Sequence, residues 1–148
     1  MKKVAELASR LKLEVEKVNK KQAVNWAIEC AQRVVHHFER SYPNDPRPRN
    51  ALEIAKRWLK GETTFKEVRR SSLGAHAAAR EAKDPVAVYA ARSCAHAVAT
   101  AHVITHAAGA ALYALKAIEQ IDPMSIEKEL SWQLERLREI GKGESYEF

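Results

Sequence analysis

The sequence feature that most constrains the fold is an alanine-rich segment, Gly74 to Ala117, in which eighteen of forty-four residues are alanine. Alanine has the highest intrinsic helix propensity, so this composition strongly favours helix. Its small side chain also lets helices approach closely, because the distance between two helix axes depends on the side chains at their contact. Imidazoles set among such small neighbours are expected to be partly buried and hydrogen-bonded. The histidines of the segment are His76, His96, His102 and His106.

Length and composition are those of one globular domain. The chain has 148 residues, 46% hydrophobic and 30% charged, which is enough to bury a core without disulfides or metals. No apolar run reaches the ~18 to 20 residues of a membrane span, and the charged N-terminus lacks the apolar core of a secretory signal. We therefore expect a single cytoplasmic domain over 1–148 without membrane contact. Cys30 and Cys94 form no CxxC pattern, and we expect two buried, inert thiols rather than a disulfide or a thiolate zinc site.

Positive charge is concentrated in the first half of the chain. Residues 1–70 contain seventeen Lys and Arg and nine acidic residues, a net charge of +8, and residues 71–148 contain eight and ten, a net charge of −2. A basic half can contact nucleic acid or an acidic protein. Here the bases alternate with Glu at helical spacing, which is typical of a solvated surface. Since the sequence shows no helix-turn-helix pattern and no exposed aromatic residues between the bases, nucleic acid is not the expected partner.

Apolar residues recur at the helical period throughout, which predicts an all-α, single-domain bundle of five to six helices around a central alanine-rich helix. We expect a first helix over about residues 3–20 and a second that ends at the proline-rich turn SYPNDPRP. A third covers about 48–60, and Gly61 follows at the position of a left-handed C-terminal residue. A Thr64–Glu67 capping box begins a fourth helix that reaches about residue 83.

Two Asp-Pro pairs mark the remaining helix starts, because aspartate is a favoured N-cap and proline suits the first turn. Asp84-Pro85 begins a fifth helix and Asp122-Pro123 begins the last. We expect Gly141 and Gly143 to end the last helix, followed by a frayed tail over 144–148. One helix over 85–120 would be about 54 Å long, whereas a domain of this size is roughly 38 Å across. A break is therefore expected near Gly109.

The histidines suggest a metal site as one alternative. His102 and His106 lie four residues apart, so a continuous helix would project both imidazoles from one face, a spacing that can supply two zinc ligands. His76 or Glu81 could provide a third. No HExxH pattern is present, and structural histidines bonded to backbone or hydroxyl groups are the preferred interpretation. We accordingly expect no metal and no cofactor.

Helical geometry also predicts two polar stripes in the alanine-rich region. Ser72, His76 and Arg80 follow one another at a spacing of four residues. The second stripe falls within about 80° on one helical wheel and comprises Arg92, His102, His106 and Tyr113. His96 would point about 120° away from His102, so it is not expected to join His102 and His106 as a metal ligand. The two stripes could line a binding cleft or form an interior hydrogen-bond network that sets helix register, and the network is the preferred interpretation.

Arg70 precedes His76 by six residues, a spacing that resembles the Arg/His motif of the HEPN family of helical ribonucleases. That resemblance would imply an RNA-cleaving enzyme in which His76 acts as the acid/base group and Arg70 stabilises phosphate charge. No other sequence feature indicates a catalytic assembly, so this remains an alternative to a non-enzymatic function.

Residues expected to contact a partner come from two regions. Arginines of the RPRN turn and of the Arg-Arg pair are the expected anion contacts: Arg47, Arg49, Arg69 and Arg70. Trp26 and Trp58 are expected to anchor the core. Trp132 lies off the main apolar stripe of the last helix, so it is the tryptophan expected to reach a groove or a partner.

Several segments taken in order resemble a family of small bacterial and archaeal proteins, the fifth-type-like immunity family of polymorphic toxin systems. They are WAIECAQRVVHHFERSYPNDPRPRNALEIAKRWLKGE, AHAAAREAKDP, HAVATAHVITHAAGAALYAL and WQLERL. The resemblance covers about Trp26 to Leu137. It draws attention, without assigning a role, to six residues by position: His76, Arg80, His96, His102, His106 and Tyr113.

This resemblance implies an all-helical, non-enzymatic protein that binds and neutralises a cognate toxin in the cytoplasm. A second copy of the chain is a further candidate partner, through the alanine-rich face or the first helix. The lysine-rich residues 1–21 depart from the family pattern, and so does the net charge of +6. An inhibitor that imitates nucleic acid would be acidic, so inhibition of a nuclease by charge mimicry is not expected.

Overall fold

A computed structural model of the protein describes residues 2–143, with side chains from Glu6 onwards. This part of the chain contains eight α-helices and one short 3-10 helix at Pro123–Ser125, and no strand. The helices are α1 Lys2–Val15, α2 Lys20–Gln32, α3 Val35–Ser41, α4 Arg47–Leu59, α5 Phe65–Glu81, α6 Pro85–Ala99, α7 His106–Ile121 and α8 Ile126–Gly141.

The all-α class is confirmed, but eight helices replace the predicted five to six. Two of the predicted helices are each divided by a short interruption, the second one at Arg33 and Val34 and the fifth one over residues 100–105. The first helix also ends at Val15, earlier than predicted. The predicted frayed tail over 144–148 lies outside the described residues.

The prediction of a break in the long alanine-rich helix was right in kind and wrong in position. Gly109 lies inside α7, and the chain reverses direction between Ala99 and His106 instead. At this point the Thr100 hydroxyl donates to the His96 carbonyl oxygen at 2.9 Å, and β-branched residues follow at 103–105. Both features weaken helix continuation. The reversal places α6 and α7 side by side, so that their alanines bury against each other.

The interruption between α2 and α3 has no glycine or proline to mark it. Val34 is fully buried, and Arg33 is held by Glu129 of α8 through two hydrogen bonds of 2.6 and 2.9 Å. Long-range contacts therefore define this bend, which is why the local sequence did not reveal it.

Helix ends follow the predicted capping residues closely. Asp84 accepts a hydrogen bond from the Val86 amide at 3.1 Å, and Gly61 has a φ of 71°, which confirms the left-handed residue after α4. The Thr64 side chain accepts from the Glu67 amide as predicted. The Glu67 carboxylate, however, accepts from the Thr63 hydroxyl at 2.7 Å.

Helix α6 is the centre of the molecule, packed against α2, α3, α4, α5 and α7. The main core lies among α1, α2, α4, α6, α7 and α8, and a smaller apolar cluster surrounds Phe38 of α3. The buried Trp26 indole N–H donates to the backbone carbonyl oxygen of Gln133 at 2.8 Å. The side-chain amide of Gln133 donates in turn to the backbone carbonyl oxygen of Ala111 at 3.0 Å. These bonds join α2, α8 and α7.

Both cysteines are fully buried within this core, as predicted. Burial raises the pKa of the Cys30 and Cys94 thiols, which keeps them protonated and unreactive near neutral pH. Within residues 2–143, no helix combines the length and the apolar character that crossing a bilayer requires.

Candidate functional site

Five polar side chains from three helices meet over the central helix, and we call this group the histidine seam. It consists of His76 on α5, Arg92 and His96 on α6, and His106 and Tyr113 on α7. All five are half-buried, so solvent reaches them from one side. The seam is therefore a network of side chains between helices that stays partly open to solvent.

Two short contacts connect the imidazoles and assign part of their hydrogen positions. The Arg92 guanidinium lies with Nη1 2.6 Å from His76 Nδ1. Because arginine can only donate, His76 Nδ1 must accept, which places the His76 proton on Nε2. His96 Nδ1 lies 3.1 Å from His106 Nδ1. One of these nitrogens must carry a proton and the other a lone pair, so His96 and His106 are opposite tautomers.

His96 is the centre of the seam. Its ring centroid lies 5.3 Å from that of His76, 5.1 Å from that of His106 and 5.2 Å from that of Tyr113, on which it stacks. Gly109 of α7 makes room for this ring, because a Cβ there would lie 2.8 Å from His96 Nδ1. The glycine that was predicted to break a helix instead lets the α7 backbone pack against the His96 ring of α6.

The imidazoles of the seam are neutral at physiological pH. Burial is the main cause that lowers the pKa of His76 to about 4, followed by the charges of Arg92 and Arg80. Burial together with His106, His76 and Arg92 lowers the pKa of His96 to about 4. The pKa of His106 is also lowered, mainly by burial and secondly by His102. Neutral imidazoles each offer one N–H donor and one acceptor.

Two residues that the sequence analysis missed extend the seam. The Tyr89 and Tyr113 rings lie 6.1 Å apart, and the Lys116 ammonium lies 5.6 and 5.1 Å from their centroids. Tyr89 precedes Arg92 by three residues, and Lys116 follows Tyr113 by three. Those spacings place both residues next to the predicted second stripe. Extending that stripe by one turn at each end would have found both.

His102 does not belong to the seam, contrary to the prediction. It lies in the turn between α6 and α7, is exposed, and packs its ring 5.0 Å from that of Phe65. Because the helix ends at Ala99, the expected shared face of His102 and His106 does not exist. Within residues 2–143, no three His, Cys, Asp or Glu side chains are grouped so as to hold a metal ion.

The remaining predicted polar residues of α5 lie around the seam. The buried Ser72 donates to the Ala95 carbonyl oxygen at 3.2 Å and ties α5 to α6. Arg80 is exposed and close enough to His76 to lower its pKa. Arg70 lines a groove of about 400 Å³ between α4 and α5, whereas His76 faces α6. The two residues of the HEPN-like pair thus contact different neighbours.

Comparison with known families places this geometry in context. Residues 13–140 match the family described as Imm-5 like putative immunity protein. The chain belongs to this immunity family. No curated protein and no solved structure matches the chain. The match confirms the resemblance inferred from the sequence and extends it toward both ends of the chain.

Three of the residues predicted to contact a partner are engaged inside this immunity-family protein. Arg47 forms a bidentate pair with Asp45 and also bonds to Glu81, at distances of 2.7 to 3.3 Å. Arg49 forms a bidentate pair with Glu39 at 2.6 and 2.8 Å. Trp132 is half-buried beneath the Arg33 guanidinium, which lies 3.9 Å from its ring centroid.

Arg69 and Arg70 have a different environment. Both are exposed, and no carboxylate among residues 6–143 pairs with either of them. Arg69 also lies between two exposed apolar residues of the same helix, Phe65 and Leu73, which are 60% and 57% exposed. Four-residue spacing puts these three side chains within about 80° of one another on α5.

Proposed function

We propose that this protein neutralises a cognate toxin by binding it in the cytoplasm, as a non-enzymatic immunity protein. The observation that carries the proposal is the family match over residues 13–140. The mechanism we favour is steric occlusion, in which a rigid helical surface covers the toxin's active site. A chain whose central helix is fixed by five neighbouring helices suits that mechanism, because a preordered surface loses little conformational entropy on binding.

The binding surface that the contacts favour is the outward face of α5, formed by Phe65, Arg69 and Leu73. Helix α5 packs against α4 and α6, which leaves this face to solvent. Protein interfaces concentrate their affinity in a few aromatic, aliphatic and arginine anchors. Phe65 and Leu73 are separated by about 12 Å along the helix, and Arg69 lies between them.

Charge supports the same surface. Arg69 and the adjacent Arg70 carry positive charge without a carboxylate partner in residues 6–143, whereas Arg47 and Arg49 are neutralised by intramolecular pairs. A toxin surface that presents carboxylates to Arg69 and Arg70 would complement this face. The expected partner is therefore an acidic protein surface with apolar pockets.

A co-expression experiment tests the proposal. A candidate toxin taken from the genes beside the one for this protein would be expressed with it, and cell growth and direct binding would be measured. We expect protection by the wild type, and loss of protection with at least thirtyfold weaker binding for the double variant Phe65→Glu, Leu73→Glu, because the loss of even one anchor costs about 2 kcal/mol. The matched control is Leu13→Glu, at an apolar residue of α1 that is 61% exposed.

Two results would reject this proposal. If the wild type binds no neighbouring toxin and gives no protection, the immunity function is wrong for this chain. If Leu13→Glu abolishes protection and the α5 double variant does not, the function holds and the binding surface is wrongly placed.

A further inference from the structure

Arg92 differs from every other half-buried arginine in residues 6–143. Three of these arginines each form a bidentate pair with a carboxylate, namely Arg47 with Asp45, Arg49 with Glu39 and Arg136 with Glu29. Arg92 donates instead to a neutral imidazole, that of His76. Among the described residues no carboxylate pairs with Arg92, so the molecule neutralises three such charges and leaves the fourth uncompensated.

An uncompensated guanidinium at a half-buried position is electrostatically unfavourable, because burial removes part of the water that stabilises its charge. It also has five N–H donors in a rigid fork and no acceptor. His76 accepts from only one of them at 2.6 Å. The seam thus retains both charge and directed donors that its own residues do not satisfy.

The groups around Arg92 reinforce its charge. Lys116 lies over Tyr113 at 5.1 Å, and Arg80 is near enough to lower the pKa of His76. The charged groups that lower the pKa of His76 and His96 are all basic. Positive charge from α5, α6 and α7 therefore surrounds this part of the seam, where no carboxylate of the described residues pairs with Arg92.

We propose that the histidine seam binds a phosphate-class oxyanion, with the Arg92 guanidinium as its principal ligand. Guanidinium forks match phosphate oxygens in a bidentate geometry. The His76 imidazole holds the guanidinium in place through Nδ1, and Arg80 and Lys116 add attraction from the rim. Positive charges from three helices suit a doubly charged phosphate better than a singly charged carboxylate. This site goes beyond the proposed function and does not depend on it.

The test is a titration of the purified protein with inorganic phosphate at constant ionic strength, followed by calorimetry and by the histidine ring signals in NMR spectra. We expect saturable binding with perturbed His76 and His96 signals, and at least tenfold weaker binding for Arg92→Gln. Arg138→Gln, which removes an exposed charge on α8, should stay within twofold of the wild type. The absence of saturable binding, or equal losses for the two variants, would overturn the proposal.

Two further experiments test the site independently of the Arg92→Gln variant. Should Arg92→Gln fail to fold, Arg80→Ala and Lys116→Ala each remove a rim charge and are expected to weaken phosphate binding a fewfold; unchanged affinity in both would contradict the site. Acetate is titrated in parallel. Tighter binding of acetate than of phosphate would contradict the phosphate assignment.

Discussion

At the scale of single residues, the contact between Gly109 and His96 determines how closely α7 approaches α6. The His96 ring is confined by the His76, His106 and Tyr113 rings, so it cannot move aside for a larger neighbour. A Cβ added to Gly109 would lie 2.8 Å from Nδ1 and 3.0 Å from Cγ of that ring. The missing side chain is therefore a packing requirement.

We expect Gly109→Ala to destabilise the protein by about 1 to 3 kcal/mol, because overpacking forces the ring or the helix to shift. The sign of this stability change is informative, because alanine normally stabilises a helix interior relative to glycine by about 0.8 to 1 kcal/mol. Urea denaturation of the variant measures the change in the free energy of unfolding.

Gly74→Ala is the matched control for this substitution. Gly74 also lies within a helix, but a Cβ there meets only the Arg47 side chain, at an ordinary 3.9 Å. We expect it to raise stability by about 0.5 to 1 kcal/mol. Combining Gly109→Ala with His96→Ala should recover part of the loss if the two residues are coupled as described. Equal effects of the two glycine substitutions would contradict the packing argument.

At the scale of elements, a comparison of the start of α6 with the bend at Arg33 shows which helix boundaries depend on neighbouring residues. Asp84 and Pro85 begin α6 as the sequence predicts, because the cap bonds are made by neighbouring residues. The bend at Arg33 depends on Glu129, which is 96 residues away in the chain. Boundaries made by neighbours are readable from the sequence, and boundaries made by distant contacts are not.

Asp84, the N-cap of α6, has two hydrogen bonds that mutation can separate. Its carboxylate accepts from the Val86 amide at 3.1 Å and from the Ser41 hydroxyl at 3.2 Å, so it both starts α6 and holds α3. We expect Asp84→Ala to lower the free energy of unfolding by about 0.5 to 2 kcal/mol. Asp84→Asn should retain most of the cap, and Ser41→Ala isolates the second bond. A denaturation midpoint of Asp84→Ala equal to that of the wild type would refute this role.

At the scale of the whole molecule, the seam makes stability depend on pH. The pKa of His76 and His96 is about 4 in the folded protein, whereas an unfolded histidine has a pKa of about 6.5. Between those values the unfolded chain binds more protons, so stability is fully present above about pH 6.5 and falls as the pH is lowered toward about 4. Thermal unfolding across this range measures the slope.

The double variant His76→Gln, His96→Gln should flatten that slope. Glu39→Gln is the control, because the Arg49 hydrogen bond lowers the pKa of Glu39 from 4.5. Its contribution is present above the unfolded value of 4.5 and is lost at lower pH, so removing it should lower stability by a similar amount across most of the histidine window and should change the pH slope mainly below about pH 4.5. An unchanged slope between pH 6.5 and 4 in the histidine variant would show that the seam does not titrate as proposed.

The arrangement of the whole molecule also bears on self-association. The alanines of α6 and α7 are buried against each other and against neighbouring helices, so the alanine-rich face is already occupied within one copy. Association through α1, where Leu13 is exposed, remains a prediction. A molecular mass measured in solution would decide it.

The sequence by itself determined the helical class, the Asp84 and Thr64 helix starts, the glycine after α4 and the family, because each depends on neighbouring residues or on an ordered set of segments. The Asp122-Pro123 start was wrong, since this pair begins the 3-10 helix Pro123–Ser125 and α8 begins only at Ile126. The tertiary structure decided which histidines meet. Helical spacing relates His102 to His106 only along an unbroken helix, and the reversal at 100–105 removes that relation. It turns α7 back along α6, so that His96 rather than His102 contacts His106. Packing between helices, which no local pattern encodes, thus selected the residues of the seam.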